Sequence, residues 1–191
     1  MKKKISCLIF LTVIALVLTG CDVGFGEKHV DDPEKYGEWE SYLEIPSFLP
    51  SSIDDCQVNA YSYTLLAYMD ICYEIFLDIS VTEKQFEKLI YEAKQSPRYI
   101  GERAAAYCEG YFEIVFQDYY EISDFDSDTA KNVSWADIEK IVYNPKTLNI
   151  VYVCFHANDT GVYETASVAY FNRFSINEKD YVQILKSKLE K

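Results

Sequence analysis

The fold is decided by residues 71–80, which read ICYEIFLDIS. Every second residue from Ile71 to Ile79 is aliphatic or aromatic, and the residues between them include Glu74 and Asp78. Because successive side chains of a β-strand point to opposite faces of a sheet, this alternation predicts a strand with one core face and one face of mixed polarity. The tyrosine-rich segment 58–66 precedes it and is predicted to pair with it as a hairpin.

Further strands are predicted downstream from the same alternation. Residues 111–122 form one such segment, and 164–175 form another. Residues 138–143 and 148–156 flank the turn sequence Asn144-Pro145-Lys146-Thr147, whose proline occupies the second turn position of a type I turn. These two segments are therefore predicted to form a hairpin.

Two amphipathic helices are predicted from their N-terminal capping signals. Thr82 and Gln85 match a capping box, and Phe86 begins an apolar stripe that ends before a proline at position 97. Asn177 and Asp180 occupy the corresponding positions of a second helix near residue 191. The predicted fold class is therefore α+β, with two helices packed on one face of an antiparallel sheet.

An internal duplication is an open alternative for this layout. Residues 80–84 read SVTEK and residues 175–179 read SINEK, so both helices begin with serine, an aliphatic residue, a cap, glutamate and lysine. A duplicated unit of strands and a helix would explain the repeat. Independent drift of two well-capped helices toward the same pattern is the favoured explanation.

The N-terminal segment carries the signals of secretion and lipid attachment. Three lysines at positions 2–4 precede the apolar run 5–18, which is shorter than the roughly 17 to 25 residues that span a bilayer. The following Leu18-Thr19-Gly20-Cys21 resembles the lipobox of bacterial lipoproteins. That resemblance implies removal of residues 1–20, a lipid on Cys21 and a location at the extracytoplasmic face of the cell membrane. The remainder resembles small lipoproteins of Gram-positive bacteria in kind, without a motif-by-motif match.

The chain after Cys21 is expected to comprise a tether and one domain. Residues 21–41 are rich in glycine and charged residues, which predicts a flexible tether. Residues 42–191 are long enough for a single domain with a hydrophobic core.

The charge balance narrows the class of partner. The formal charge is −13, and it becomes −16 when the three signal lysines are removed. Such a surface repels nucleic acid phosphates and attracts cationic groups, although a high charge also serves solubility alone. We therefore expect no nucleic acid partner.

Catalytic motifs are sparse in this sequence. The two histidines are His29, in the predicted tether, and His156, near Asp159. A surface hydrolase that uses His156 and Asp159 is an alternative, but no nucleophile elbow, zinc motif or phosphate-binding loop accompanies them. The run Asp124, Asp126, Asp128 opens like a calcium loop without its later ligands. We expect no cofactor and no metal.

Four cysteines remain after Cys21: Cys56, Cys72, Cys108 and Cys154. Their wide spacing excludes a Cys-x-x-Cys motif and leaves disulfides or buried thiols as alternatives.

The function expected from all these features is a non-enzymatic binding domain, anchored to the membrane through Cys21. Its partner would be a protein, a peptide or a component of the cell wall.

Overall fold

An antiparallel β-sheet of seven strands makes up most of the fold. The computed structural model describes residues 26–67, 71–106, 108–122, 133–158 and 172–174. The strands are β1 (Gly26–Val30), β2 (Gln57–Ala67), β3 (Ile71–Ser80), β4 (Gly101–Ala104), β5 (Phe112–Ile122), β6 (Val133–Asn144) and β7 (Asn149–Asn158). A short 3-10 helix spans Pro33–Lys35, and one α-helix, α1, spans Glu83–Gln95.

The strand order places distant parts of the chain side by side. It runs β1-β2-β3-β7-β6-β5-β4, and every neighbouring pair is antiparallel. Strands β3 and β7 are therefore neighbours although α1 and three strands separate them in sequence. This pairing brings side chains from the two halves of the chain onto one surface.

The main core lies on one face of the sheet, here called the helix face. Ile75, Leu77 and Ile79 of β3 point to this face and are fully buried. Helix α1 covers it with Phe86 and Ile90, and the segment 42–56 covers another part of it. Burial of each such side chain contributes roughly 1.5 to 3 kcal/mol.

The opposite face is also buried but carries charged residues. Lys140 and Glu113 form an ion pair of 2.9 Å, and both side chains are less than 5% exposed. Arg103 also pairs with Glu113, at 2.7 Å. Arg173 lies over the same face and pairs with Asp78. Buried charges are tolerated in a sheet when opposite charges compensate them, as they do here.

Several predicted elements are confirmed. Strand β3 has the predicted bounds, and β2 pairs with it as an antiparallel hairpin. Strand β5 covers the predicted segment 111–122 almost completely, and β6 and β7 form the predicted hairpin. Leu148 closes that hairpin with φ of 55°, in the left-handed region that non-glycine residues rarely adopt.

The first predicted helix is confirmed together with its cap. Thr82 is the N-cap of α1, its side chain accepts a hydrogen bond from the Gln85 backbone N–H, and the Gln85 side chain accepts one from the Thr82 N–H. Ser96 ends the helix before Pro97. The capping signals therefore located this helix correctly.

The predicted α+β class is wrong. The described residues form a mostly β structure, with seven strands and the single helix α1. The sequence of the segment 96–109 is ambiguous, because the alanines at 104–106 favour a helix whereas Pro97 and Gly101 interrupt one, and in the structure it contributes strand β4 and loops. The second predicted helix and the proposed duplication lie outside the described residues. Of the predicted strand 164–175, only 172–174 are described, and they are in helical or turn conformation.

Part of the segment predicted as a tether has regular structure. Strand β1 pairs with β2, and Tyr36 and Trp39 pack edge-to-face on Tyr61. Residues 26–41 of the predicted tether 21–41 thus belong to the folded structure. None of the helices in the described part of the chain has the length and apolarity needed to cross a bilayer.

Candidate functional site

The register of three neighbouring strands builds a row of polar side chains across the helix face. Tyr73 of β3 stands opposite His156 of β7, and His156 stands opposite Asp137 of β6. The Tyr73 and His156 rings stack with centroids 5.4 Å apart. The Nδ1 atom of His156 lies 3.5 Å from Oδ1 of Asp137, and the two side chains form an ion pair when the imidazole is protonated.

A second carboxyl group lies next to this row. Glu139 follows Asp137 by two residues on β6, so both side chains point to the helix face. Arg98, in the loop after α1, reaches Glu139 with a distance of 2.7 Å between its Nη2 and Oε2. Arg98 thereby fixes the end of this loop against the sheet.

These residues line a cavity of about 540 Å³, here called the acidic cavity. Its inner wall consists of Tyr73, Arg98, Asp137, Glu139 and His156, and the segment 42–47 and Ile71 form its rim. The Tyr73 hydroxyl donates a hydrogen bond of 3.1 Å to the Glu44 carbonyl, which holds this rim in place. The volume falls within the roughly 300 to 1,000 Å³ typical of small-ligand sites.

Burial governs the ionisation of Glu139. Its side chain is only 7% exposed, and burial raises its pKa above the ordinary value of 4.5. The Arg98 guanidinium opposes this increase, and the carboxylate of Asp137 adds to it. Asp137 itself is 29% exposed within the cavity. The cavity therefore offers one buried and one more accessible carboxyl group.

The nearby cysteine does not fit the role of a nucleophile. Cys154 lies two residues before His156 on the same face, but its thiol is fully buried. Burial raises the pKa of this thiol well above 9, and the Glu139 carboxylate adds to the effect. Because the thiolate is the reactive form, this environment disfavours nucleophilic chemistry at Cys154. All four cysteines of the described residues have free thiols: Cys56, Cys72, Cys108 and Cys154.

The structure places the sequence-predicted candidates differently. His156 lines the acidic cavity with Asp137 as its acidic neighbour, whereas its predicted partner Asp159 lies outside the described residues. His29 lies on β1, where its Nδ1 is 3.3 Å from the Thr64 hydroxyl oxygen. The lipidation candidate Cys21 and the calcium-like run 124–128 also lie outside the described residues.

No group of three histidine, cysteine or carboxylate side chains in the described part of the chain is arranged to hold a metal ion.

A second cavity, here called the α1 groove, adjoins the first. It measures about 710 Å³ and lies between α1 and the segment 47–56. Phe48, Leu89 and Tyr152 give it apolar walls, and Asp55 and Glu92 contribute carboxyl groups. The exposed Tyr91 also lines this groove.

Sequence reasoning missed Asp137, Glu139 and Arg98. The available signal was the spacing of the two acidic residues: Glu139 lies in the predicted strand 138–143, and Asp137, two residues earlier, would share its face if the strand began sooner. Their proximity to His156 depends on the β6–β7 register, which the predicted hairpin turn would have indicated. Arg98 carried no such signal, because it lies in the segment of ambiguous structure.

Comparison with protein-family models, with curated proteins and with solved structures finds no match for this chain.

Proposed function

We propose that this chain is a lipid-anchored binding domain and that its acidic cavity binds a positively charged group of a protein, peptide or cell-wall partner. The observation that carries this proposal is the position of Asp137 and Glu139 side by side in a cavity of about 540 Å³. A lysine ammonium group donates three hydrogen bonds, and carboxylates are its strongest acceptors.

The electrostatics of the cavity favour a cation. Three acidic residues line it, Glu44, Asp137 and Glu139, against the single arginine Arg98. The formal charge of −13 over the whole chain adds a long-range attraction for positive ligands. A bound cation would also favour the ionised form of Glu139, so binding and ionisation support each other.

The rim of the cavity suits the rest of a lysine or arginine side chain. Tyr42 is 50% exposed and Ile71 is 45% exposed at this edge. Long cationic side chains pack their methylene groups against apolar surfaces while the charged end binds elsewhere. The exposed Tyr42 and Ile71 beside the carboxyl groups of Asp137 and Glu139 match that shape.

A surface hydrolase that uses His156 and Asp159 is the alternative function. One observation supports a catalytic role of His156: Asp137 lies 3.5 Å from it, close enough to orient the imidazole ring. Such an enzyme needs a nucleophile or an activated water as well, and the buried thiol of Cys154 does not provide it. Turnover of peptide or ester substrates that His156→Ala abolishes, in a folded variant, would favour the hydrolase over the binding domain.

The anchor belongs to the same proposal and rests on the sequence Leu18-Thr19-Gly20-Cys21. A diacylglycerol on Cys21 would supply the two acyl chains that stable membrane attachment needs. Anchoring would raise the effective concentration of the domain near partners at the membrane. Cys21→Ser should release the protein from the membrane fraction with its fold unchanged, and continued membrane retention would contradict lipid attachment.

Isothermal titration calorimetry with a minimal cation tests the binding function. The probe is Nα-acetyl-lysine N-methylamide, and the matched neutral probe is Nα-acetyl-norleucine N-methylamide. We expect the lysine probe to bind and the norleucine probe not to bind. Asp137→Asn should weaken binding of the lysine probe about tenfold, since a charged hydrogen bond contributes roughly 1.5 kcal/mol. Glu87→Gln, an equal charge change at an exposed position of α1, should leave binding unchanged. Equal binding of both probes would overturn the proposal.

A further inference from the structure

The acidic cavity and the α1 groove meet along two boundaries. Ser47 lines both of them, so they adjoin on the side of the segment 42–56. On the other side Pro97 lines the groove and the next residue, Arg98, lines the cavity. The two spaces are therefore neighbours along the segment 42–56 and the end of α1, and together they are here called the track.

The chemistry changes along this track. The acidic cavity presents carboxyl groups, whereas Phe48, Leu89 and Tyr152 make the walls of the groove apolar. The groove has more acidic than basic residues. Lys88 lies 3.8 Å from Glu92 and compensates its charge, and Asp55 adds a further acidic residue. A ligand that fills both parts needs a positive charge at one position and apolar side chains nearby.

The segment 42–56, which forms one side of the track, is held in place by contacts with the rest of the fold. Phe48 stacks on Phe116 with ring centroids 4.5 Å apart. The Tyr36 hydroxyl donates a hydrogen bond of 2.7 Å to the Pro50 carbonyl. A wall fixed in this way loses little conformational entropy when a ligand binds.

We propose that the ligand is an extended peptide that places a lysine or arginine side chain in the acidic cavity and an apolar side chain in the α1 groove. This inference rests on the proposed function, since it uses the same acidic cavity. Two concave sites in series suit an extended chain, whose side chains enter separate pockets, better than the convex surface of a folded protein. Charge complementarity selects the cationic residue, and apolar burial in the groove selects its neighbour.

The test compares how tightly a set of peptides binds to the full mature chain that carries Cys21→Ser. The reference peptide contains one lysine among glycines, and a set of otherwise equal peptides carries leucine one, two or three positions before or after that lysine. We expect at least one leucine peptide to bind about tenfold more tightly than the reference, a gain equivalent to about 1.4 kcal/mol. No gain at any spacing would overturn the inference.

A blocking variant locates the second contact. Ser51 is exposed and lines the α1 groove, so Ser51→Trp should fill the groove without disturbing the core. It should abolish the gain from leucine and leave binding of the reference peptide unchanged. Thr147→Trp, on the exposed turn between β6 and β7, is the matched control and should change neither.

The outcomes separate this inference from the proposed function. If the lysine probe does not bind, the proposed function is wrong and the inference fails with it. If the lysine probe binds but leucine adds nothing and Ser51→Trp has no effect, only the inference is wrong. Tighter binding of a folded basic protein, such as cytochrome c, than of every peptide would likewise assign the site to a folded partner.

Discussion

Arg98 and Glu139 form an ion pair of 2.7 Å in which the guanidinium is 45% exposed and the carboxyl group is 7% exposed. The pair joins the loop after α1 to strand β6 and forms one wall of the acidic cavity. Because Glu139 is buried, its ionisation depends on Arg98 and on any cation that enters the cavity. The pair thus links the local fold to the proposed binding function.

Removal of Arg98 should increase the pKa of Glu139. Burial raises this pKa, and the adjacent guanidinium of Arg98 lowers it, so Arg98→Met leaves the effect of burial less opposed. A ¹³C NMR titration of the Glu139 carboxyl group measures the change. Lys88→Met, which removes an equal charge from α1, should leave the pKa unchanged. A decrease in the Arg98→Met variant would contradict the assigned geometry.

Glu139→Gln should alter the pH dependence of stability. A carboxyl group whose pKa is raised in the folded state contributes stability that is fully present below its unfolded value of 4.5 and is lost as the pH rises through the folded pKa. The unfolding free energy of the wild type, relative to Glu139→Gln, should therefore fall as the pH rises above about 4.5 and through the raised pKa of Glu139. Urea denaturation at several pH values measures this difference, and a constant difference would disprove the effect.

Glu102→Gln should show the opposite dependence. Partial burial opposes ionisation of Glu102, but a hydrogen bond from Tyr143 and the nearby Lys94 outweigh it and lower the pKa. The stability contributed by Glu102 is therefore present above the unfolded value of 4.5 and is lost as the pH falls through the folded pKa. In the same denaturation series the advantage of the wild type over Glu102→Gln should shrink only in acid. An advantage that grows in acid would be inconsistent with the lowered pKa.

Glu113→Gln should be strongly destabilising. This buried carboxylate is shared by Lys140 at 2.9 Å and Arg103 at 2.7 Å, and its removal leaves both cations less compensated. Removing one partner of a buried ion pair costs about 3 kcal/mol or more. Chemical denaturation measures the loss, with exposed Glu87→Gln as the control, which should change stability by less than about 0.5 kcal/mol. A loss as small as that of the control would show that the network is not important for stability.

The elements with strong local signals could be predicted from the sequence. Alternation located β3, and the capping box located α1. Strand β1 could not be predicted, because GEKHV has no apolar alternation and its pairing with β2 supplies the stability. The fold class was wrong partly for the same reason, since the polar β1 and the ambiguous segment that contains β4 both joined the sheet.

The candidate site was predictable only in part. The sequence indicates His156 as a candidate because it is one of two histidines, and proximity in sequence suggests Asp159 as its acidic partner. Its acidic neighbour in the structure, Asp137, lies on the adjacent strand, at a position that the register of β6 and β7 determines. Arg98 joins the cavity through the path of a loop, and local sequence patterns do not encode such a path.

The most direct test of the proposed binding function is an NMR titration that observes the imidazole resonances of the two histidines. His156 lines the acidic cavity, whereas His29 lies on the edge strand β1 and serves as an internal control. Addition of Nα-acetyl-lysine N-methylamide should shift the His156 resonances in a saturable way and leave those of His29 unchanged. Equal shifts of both histidines, or no shift of His156 at saturating probe, would contradict binding of cations in the acidic cavity.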